Sequence, residues 1–152
     1  MDNTFLYLEN QYHTLTRELK QKRKEFIKPM EEYINCFNDS YLLSFSVSEK
    51  KLDELLKKYY HFASLVLEHY RQTSKIVAEL AQVLFQSYDL NFGELMEKID
   101  PVIQNQNTYQ QCMEDFFNTC EEELAHNSKS PSISLLYNNA LKLKQKLEIL
   151  MK

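Results

Sequence analysis

The sequence predicts an all-α protein: an elongated up-down bundle of three to four long amphipathic helices, kinked near Pro29 and Pro101, in a single domain over residues 1–152. Three observations carry that prediction. Glycine occurs once, as Gly93, although hairpins and tight loops draw on glycine for positive φ. Apolar residues recur at alternating steps of three and four, the seam of a helix packed lengthwise against others. One stretch holds that pattern without a breaker for roughly 40 residues, about 60 Å at 1.5 Å per residue. A chain of 152 residues buries enough surface to fold without disulfides or a structural metal.

The first seam runs through Phe5, Leu8, Tyr12, Leu15 and Leu19, then Phe26, Tyr33 and Phe37, with Lys22 as its charged interruption. Pro29 falls inside it. An interior proline removes a backbone hydrogen bond and clashes with the preceding turn, so the helix kinks or restarts there. Because the seam resumes beyond Pro29, a kink is expected rather than a loop. Asn38-Asp39-Ser40 then ends the helix.

Ser46-Val47-Ser48-Glu49 reads as a capping box opening the second segment. Its seam is Leu52, Leu56, Tyr59, Ala63, Val66, Tyr70, Thr73, Val77, Leu80 and Leu84, ending near Tyr88. A third helix starts around Asn91-Phe92-Gly93-Glu94 and runs through Leu95, Ile99, Ile103, Tyr109, Met113, Phe116, Cys120 and Leu124. Within it, Asp100-Pro101 either caps a restarted helix or kinks a continuous one. His126 to Ser130 is polar and reads as a loop, and Ser130-Pro131 opens a fourth helix through Ile133, Leu136, Ala140, Leu143, Leu147 and Leu150. Short connections favour antiparallel neighbours.

The net charge of −4 is unevenly spread. Arg17, Lys20, Lys22, Arg23, Lys24 and Lys28 form a basic stripe, whereas residues 89–123 hold nine acids against Lys98. A net acidic chain is a poor general nucleic-acid binder, since such affinity comes largely from cation–phosphate contacts. The stripe offers a local contact for a partner or a membrane surface, or a solvated helix face. The start, Met1-Asp2-Asn3-Thr4, lacks the pattern of a secretory signal, and the longest apolar runs fall far short of a membrane span. The reading is a reduced, soluble, cytoplasmic protein, with signal-independent secretion left open.

Chemistry has little to work with. The histidines His13, His61, His69 and His126 make no HExxH or paired Glu-x-x-His set. Cys36, Cys112 and Cys120 include no CxxC pair, and Cys112 and Cys120 lie on or beside the apolar seam, where cysteine behaves as a small hydrophobe. No phosphate-binding loop or nucleophile elbow occurs. The expectation is a non-enzyme without metal or cofactor.

Ten tyrosines and nine phenylalanines accompany no tryptophan. Tyr7, Tyr60, Tyr88 and Tyr137 sit off or beside the seams, where tyrosine serves either a partner interface or a widened core. Excess seam, aromatics and no reactive constellation together point to a protein-protein interaction module: an adaptor, complex subunit, chaperone or small effector or inhibitor, or a self-associating chain. The alternative is a peripheral membrane binder that adds Lys50, Lys51, Lys57 and Lys58 to the stripe. Long kinked helices with that stripe resemble, in shape alone, the membrane-sculpting helical dimers of the BAR type, which implies the same alternative.

Overall fold

The computed structural model describes residues 3–38, 48–87 and 92–151. Five α-helices occur there: α1 (Asn3–Glu25), α2 (Ile27–Asn35), α3 (Glu49–Ser87), α4 (Phe92–His126) and α5 (Ile133–Leu150). The all-α bundle expected from the sequence is what forms, and no strand occurs among the described residues.

The break between α1 and α2 has a local cause. Pro29 has no amide hydrogen, so the carbonyl four residues earlier, that of Glu25, receives no helical bond from it. Glu25 is where α1 ends, and Phe26 carries the chain into α2, its carbonyl accepting from the Met30 amide at 3.3 Å. At Pro101 the outcome differs: α4 runs through it without interruption, so the continuous helix holds rather than a restarted one.

Two caps lie two residues downstream of their expected positions. Ser48, not Ser46, caps α3: its hydroxyl accepts from the Lys51 amide at 3.2 Å and its carbonyl from Leu52 at 2.9 Å. The third helical position is then Lys51, so the reciprocal glutamate of a capping box has no place there. Ser46 itself lies outside the described residues, as do Asp39, Ser40 and Tyr88. Likewise Ser132, not Ser130, caps α5, in extended backbone (φ −72°, ψ 104°) and accepting from the Leu135 amide. Pro131 precedes the helix instead of opening it. The Glu123 carboxylate draws the Ser132 amide in at 2.8 Å and so fixes where the chain turns.

Side-chain pairs set the topology. Tyr33 stacks on Phe62 (4.4 Å, 4°) and Phe26 on His69 (4.3 Å, 10°), while Leu15 and Leu19 cluster with Ile76, Leu80 and Val83. Numbers rise on one helix as they fall on the other, so α1 and α2 lie antiparallel to α3. Tyr70 on Tyr109 (5.6 Å, 3°) and Leu84 with Leu95 and Ile99 make α3 and α4 antiparallel. The Asn139 side chain bonds the Phe116 carbonyl at 2.9 Å, and Lys144 pairs with Glu31 at 3.6 Å. These place α5 beside both α4 and α2.

Heptad columns on α3 explain how one helix serves two neighbours. Tyr59, Val66, Thr73 and Leu80 point to the centre; Leu55, Phe62, His69, Ile76 and Val83 form a second buried column toward α1 and α2. The main core joins α2, α4, α5 and the first half of α3 around Phe37, Phe62, Phe116 and Cys120. Two smaller clusters hold α1 and the ends of α3 and α4. α5 has 18 residues and α3 has 39, so four helices build one half of the bundle and three build the other.

A buried polar layer crosses the boundary between the halves. Gln106 donates to Thr73 Oγ1 at 3.0 Å and Ser74 Oγ at 2.9 Å, and its Oε1 accepts from Arg23 at 3.5 Å. Each partner lies on a different helix from Gln106, so the layer fixes the mutual register of α1, α3 and α4. His69 and Tyr109 adjoin it, beside a cavity of about 10 Å³ also lined by Arg23, Phe26, Met30 and Leu147. That volume holds at most one water molecule.

Candidate partner-binding face

The outer side of the α3–α4 hairpin, turned away from α1 and α5, carries apolar surface the bundle leaves uncovered. On α3, Tyr60, Leu67 and Phe85 are 63%, 54% and 53% exposed. With Ala78 they fall within about 20° of one another at 3.6 residues per turn, so they form one stripe. On α4, Met96, Ile103, Gln110, Phe117 and Leu124 recur every seven residues along the adjoining flank. Ile103 is 39% exposed, and the other four are half-buried. A hydrogen bond from Tyr70 Oη to Gln110 Oε1, 3.1 Å, ties the two stripes together at mid-length.

Charge on this face is divided between its flanks, acidic along α4 and basic along α3. Beside the α4 stripe, Asp100, Asn107, Glu114 and Glu121 form an exposed column, again seven apart. The one lysine of α4, Lys98, lines the opposite groove with Leu8, Tyr12 and Leu84. On α3 the stripe is bordered by Lys57, Arg71 and Lys75, all exposed, of which Arg71 is held by Glu68.

The residues singled out from the sequence divide between surface and core. Arg17, Lys20, Lys24 and Lys28 are exposed on the side of α1 and α2 opposite Leu8, Leu15 and Leu19, and none is ion-paired among the described residues. Arg23 does not belong with them: it turns inward to Gln106 and faces Tyr109, and burial lowers its pKa. Of Lys50, Lys51, Lys57 and Lys58, Lys51 is paired with Glu54. The antiparallel register sets this group along α3 beyond the level of Lys28, at a different height on the bundle. Tyr7 is exposed at the start of α1 and Tyr60 on the α3 stripe. Tyr137 is half-buried against Phe37 (5.9 Å) and serves the core. Sequence reasoning misses Leu67, Phe85 and the acidic column; their seven- and eleven-residue spacing is the available signal.

The reactive side chains are placed as packing groups. Cys120 is fully buried, and desolvation pushes its thiol up to about 11 despite the Asn139 side chain donating to its sulfur. Burial raises Cys112 as well, while Cys36 lies against the Glu32 carbonyl. A thiol shifted this way is not a thiolate nucleophile at neutral pH. His69 is buried face to face with Phe26, and desolvation, assisted by Arg23 and Lys22, lowers its pKa to about 4. Among the described residues no group of three or more His, Cys, Asp or Glu is placed to hold a metal ion, and no helix is long and apolar enough to cross a membrane.

Comparison with family models, curated protein sequences and solved structures gives no match.

Proposed function

We propose that this chain is a non-catalytic interaction protein that binds another protein along the outer α3–α4 face. The exposed stripe Tyr60–Leu67–Ala78–Phe85 carries the reading: aliphatic and aromatic side chains left in water on a long, otherwise packed helix mark contact surfaces. Burying the three large ones recovers several kcal/mol at about 25 cal/mol per Å². The three unpaired thiols support a reducing, cytoplasmic setting. The test is affinity capture with quantitative mass spectrometry, comparing the wild-type chain with Leu67→Glu. A captured protein lost from the variant supports the reading; identical capture by both overturns it.

A second reading has its own observation. Arg17, Lys20, Lys24 and Lys28 present four cations on one face, and each contributes about 1 kcal/mol at an anionic leaflet. Co-sedimentation with phosphatidylserine vesicles, lost in Lys20→Glu/Lys24→Glu, supports membrane docking through α1. Binding unchanged by that variant, or no binding by the wild-type chain, refutes it.

A further inference from the structure

Charge identifies the occupant of the α3–α4 face. We propose that the face receives an amphipathic helix of a partner protein, apolar toward α3 and bearing lysine or arginine toward α4. The proposal rests on the interaction reading above and adds the chemistry of the partner to it.

The two stripes have the spacing a docked helix requires. The floor they form joins Tyr60, Leu67 and Phe85 of α3 to Met96, Ile103 and Phe117 of α4, and both stripes run along their helices at seven- or eleven-residue intervals. A helix laid lengthwise over them presents its own apolar residues every three to four positions. The α3 stripe from Tyr60 to Phe85 spans about 38 Å at 1.5 Å per residue, the length of a single partner helix.

On the α4 side the rim then selects the sign of the partner residues that face it. Asp100, Glu114 and Glu121 line the α4 side at the repeat of the floor, with no exposed base among the described residues of that flank. Glu114 accepts a bond from Gln110 at 3.1 Å, which ties its carboxylate to the α4 stripe. A helix with basic residues at matching intervals meets all three acids.

A second copy of this chain stacked with α4 over α4 sets acids against acids, a like-charge contact that opposes docking.

The experiment uses two synthetic helical peptides of identical leucine stripe, one flanked by lysine and one by glutamate. Each is titrated against the full chain by fluorescence anisotropy. The lysine peptide is expected to bind roughly tenfold or more tighter than the glutamate peptide, and to weaken as salt screens the rim. Leu67→Glu abolishes binding, and Asp100→Lys/Glu114→Lys/Glu121→Lys inverts the preference. All four positions are exposed, so these variants keep the fold, which circular dichroism and melting verify. Equal binding of the two peptides, binding of neither, or a chain dimer abolished by Leu67→Glu overturns the proposal. If the peptides fail while Leu67→Glu still loses a captured protein, the partner chemistry falls and the interaction reading stands. If capture is also indifferent to Leu67→Glu, both fall.

Discussion

Acidification should loosen this bundle through His69, and the size of the effect follows from its burial. The ring lies against Phe26 at 4.3 Å, faces Tyr109 at 5.4 Å, and shares its surroundings with Arg23 and Lys22. Desolvation and the two cations favour the neutral ring, and its pKa falls from 6.5 to about 4. The unfolded chain therefore binds a proton that the folded chain refuses. Above about pH 6.5 the neutral ring contributes its full share of stability. That share declines as the pH falls, and by about pH 4 its loss is complete. At about 1.4 kcal/mol per pH unit the decline totals about 3 kcal/mol, a large part of a typical domain's 5–15 kcal/mol, taken here as a rough range. The assay is urea unfolding at half-unit pH steps, comparing the wild-type chain with His69→Phe. The two proteins differ only at residue 69, so every other contribution cancels in the difference. The wild-type chain should lose about 3 kcal/mol relative to the variant between pH 6.5 and 4. Parallel curves over that window would show that His69 protonates freely in the folded state, and the reasoning from burial would fail.

The polar layer and the buried phenols give two more tests. Gln106→Leu strands the half-buried Arg23 guanidinium and removes both donors to Thr73 and Ser74; a loss of about 2–4 kcal/mol is expected in urea unfolding, and a loss under half of one would mean that water satisfies Arg23. Tyr33 and Tyr109 bury hydroxyls that find no hydrogen-bond partner among the described residues. Tyr33→Phe, which keeps the stack on Phe62, should leave the melting temperature unchanged or raise it, since an unmet hydroxyl costs about 1–3 kcal/mol to desolvate; a clear drop would show that the hydroxyl is bonded.

Apolar periodicity was enough to read the helices, because length and period are local properties of the chain. Leu52 through Leu84 traced α3 almost end to end, and Pro29 announced the break that its missing amide creates at Glu25. The second column, Leu55, Phe62, His69, Ile76 and Val83, was not traced. A helix with two neighbours has a core face about twice as wide as one seam, and period alone does not say which flank is covered. The same ambiguity put Ile103 in a seam although the structure exposes it, and put Arg23 in a surface stripe although it turns inward. Gln106 gave no sequence signal, because its role depends on Thr73, Ser74 and Arg23 arriving from other helices. Serine caps were misplaced by two residues for a related reason: Ser46 and Ser48, like Ser130 and Ser132, are both competent acceptors, and tertiary contacts such as Glu123 to the Ser132 amide choose between them.

The half-length of α5 also makes the molecule two cooperative regions of unequal strength. Backbone amides of α2, the first half of α3 and the second half of α4 are sealed by four-helix packing, so their hydrogen exchange should require global unfolding. Amides of α1 and of the far ends of α3 and α4 rest on the two small clusters. These should exchange through local openings of lower free energy, with Gln106 at the border where protection changes. The acidic groove straddles that border, Glu121 and Tyr60 in the slow-exchanging half and Asp100 and Phe85 in the fast one. A partner helix lying along it would therefore clamp both halves at once and slow exchange most in the fast half, where local openings would have to break its contacts.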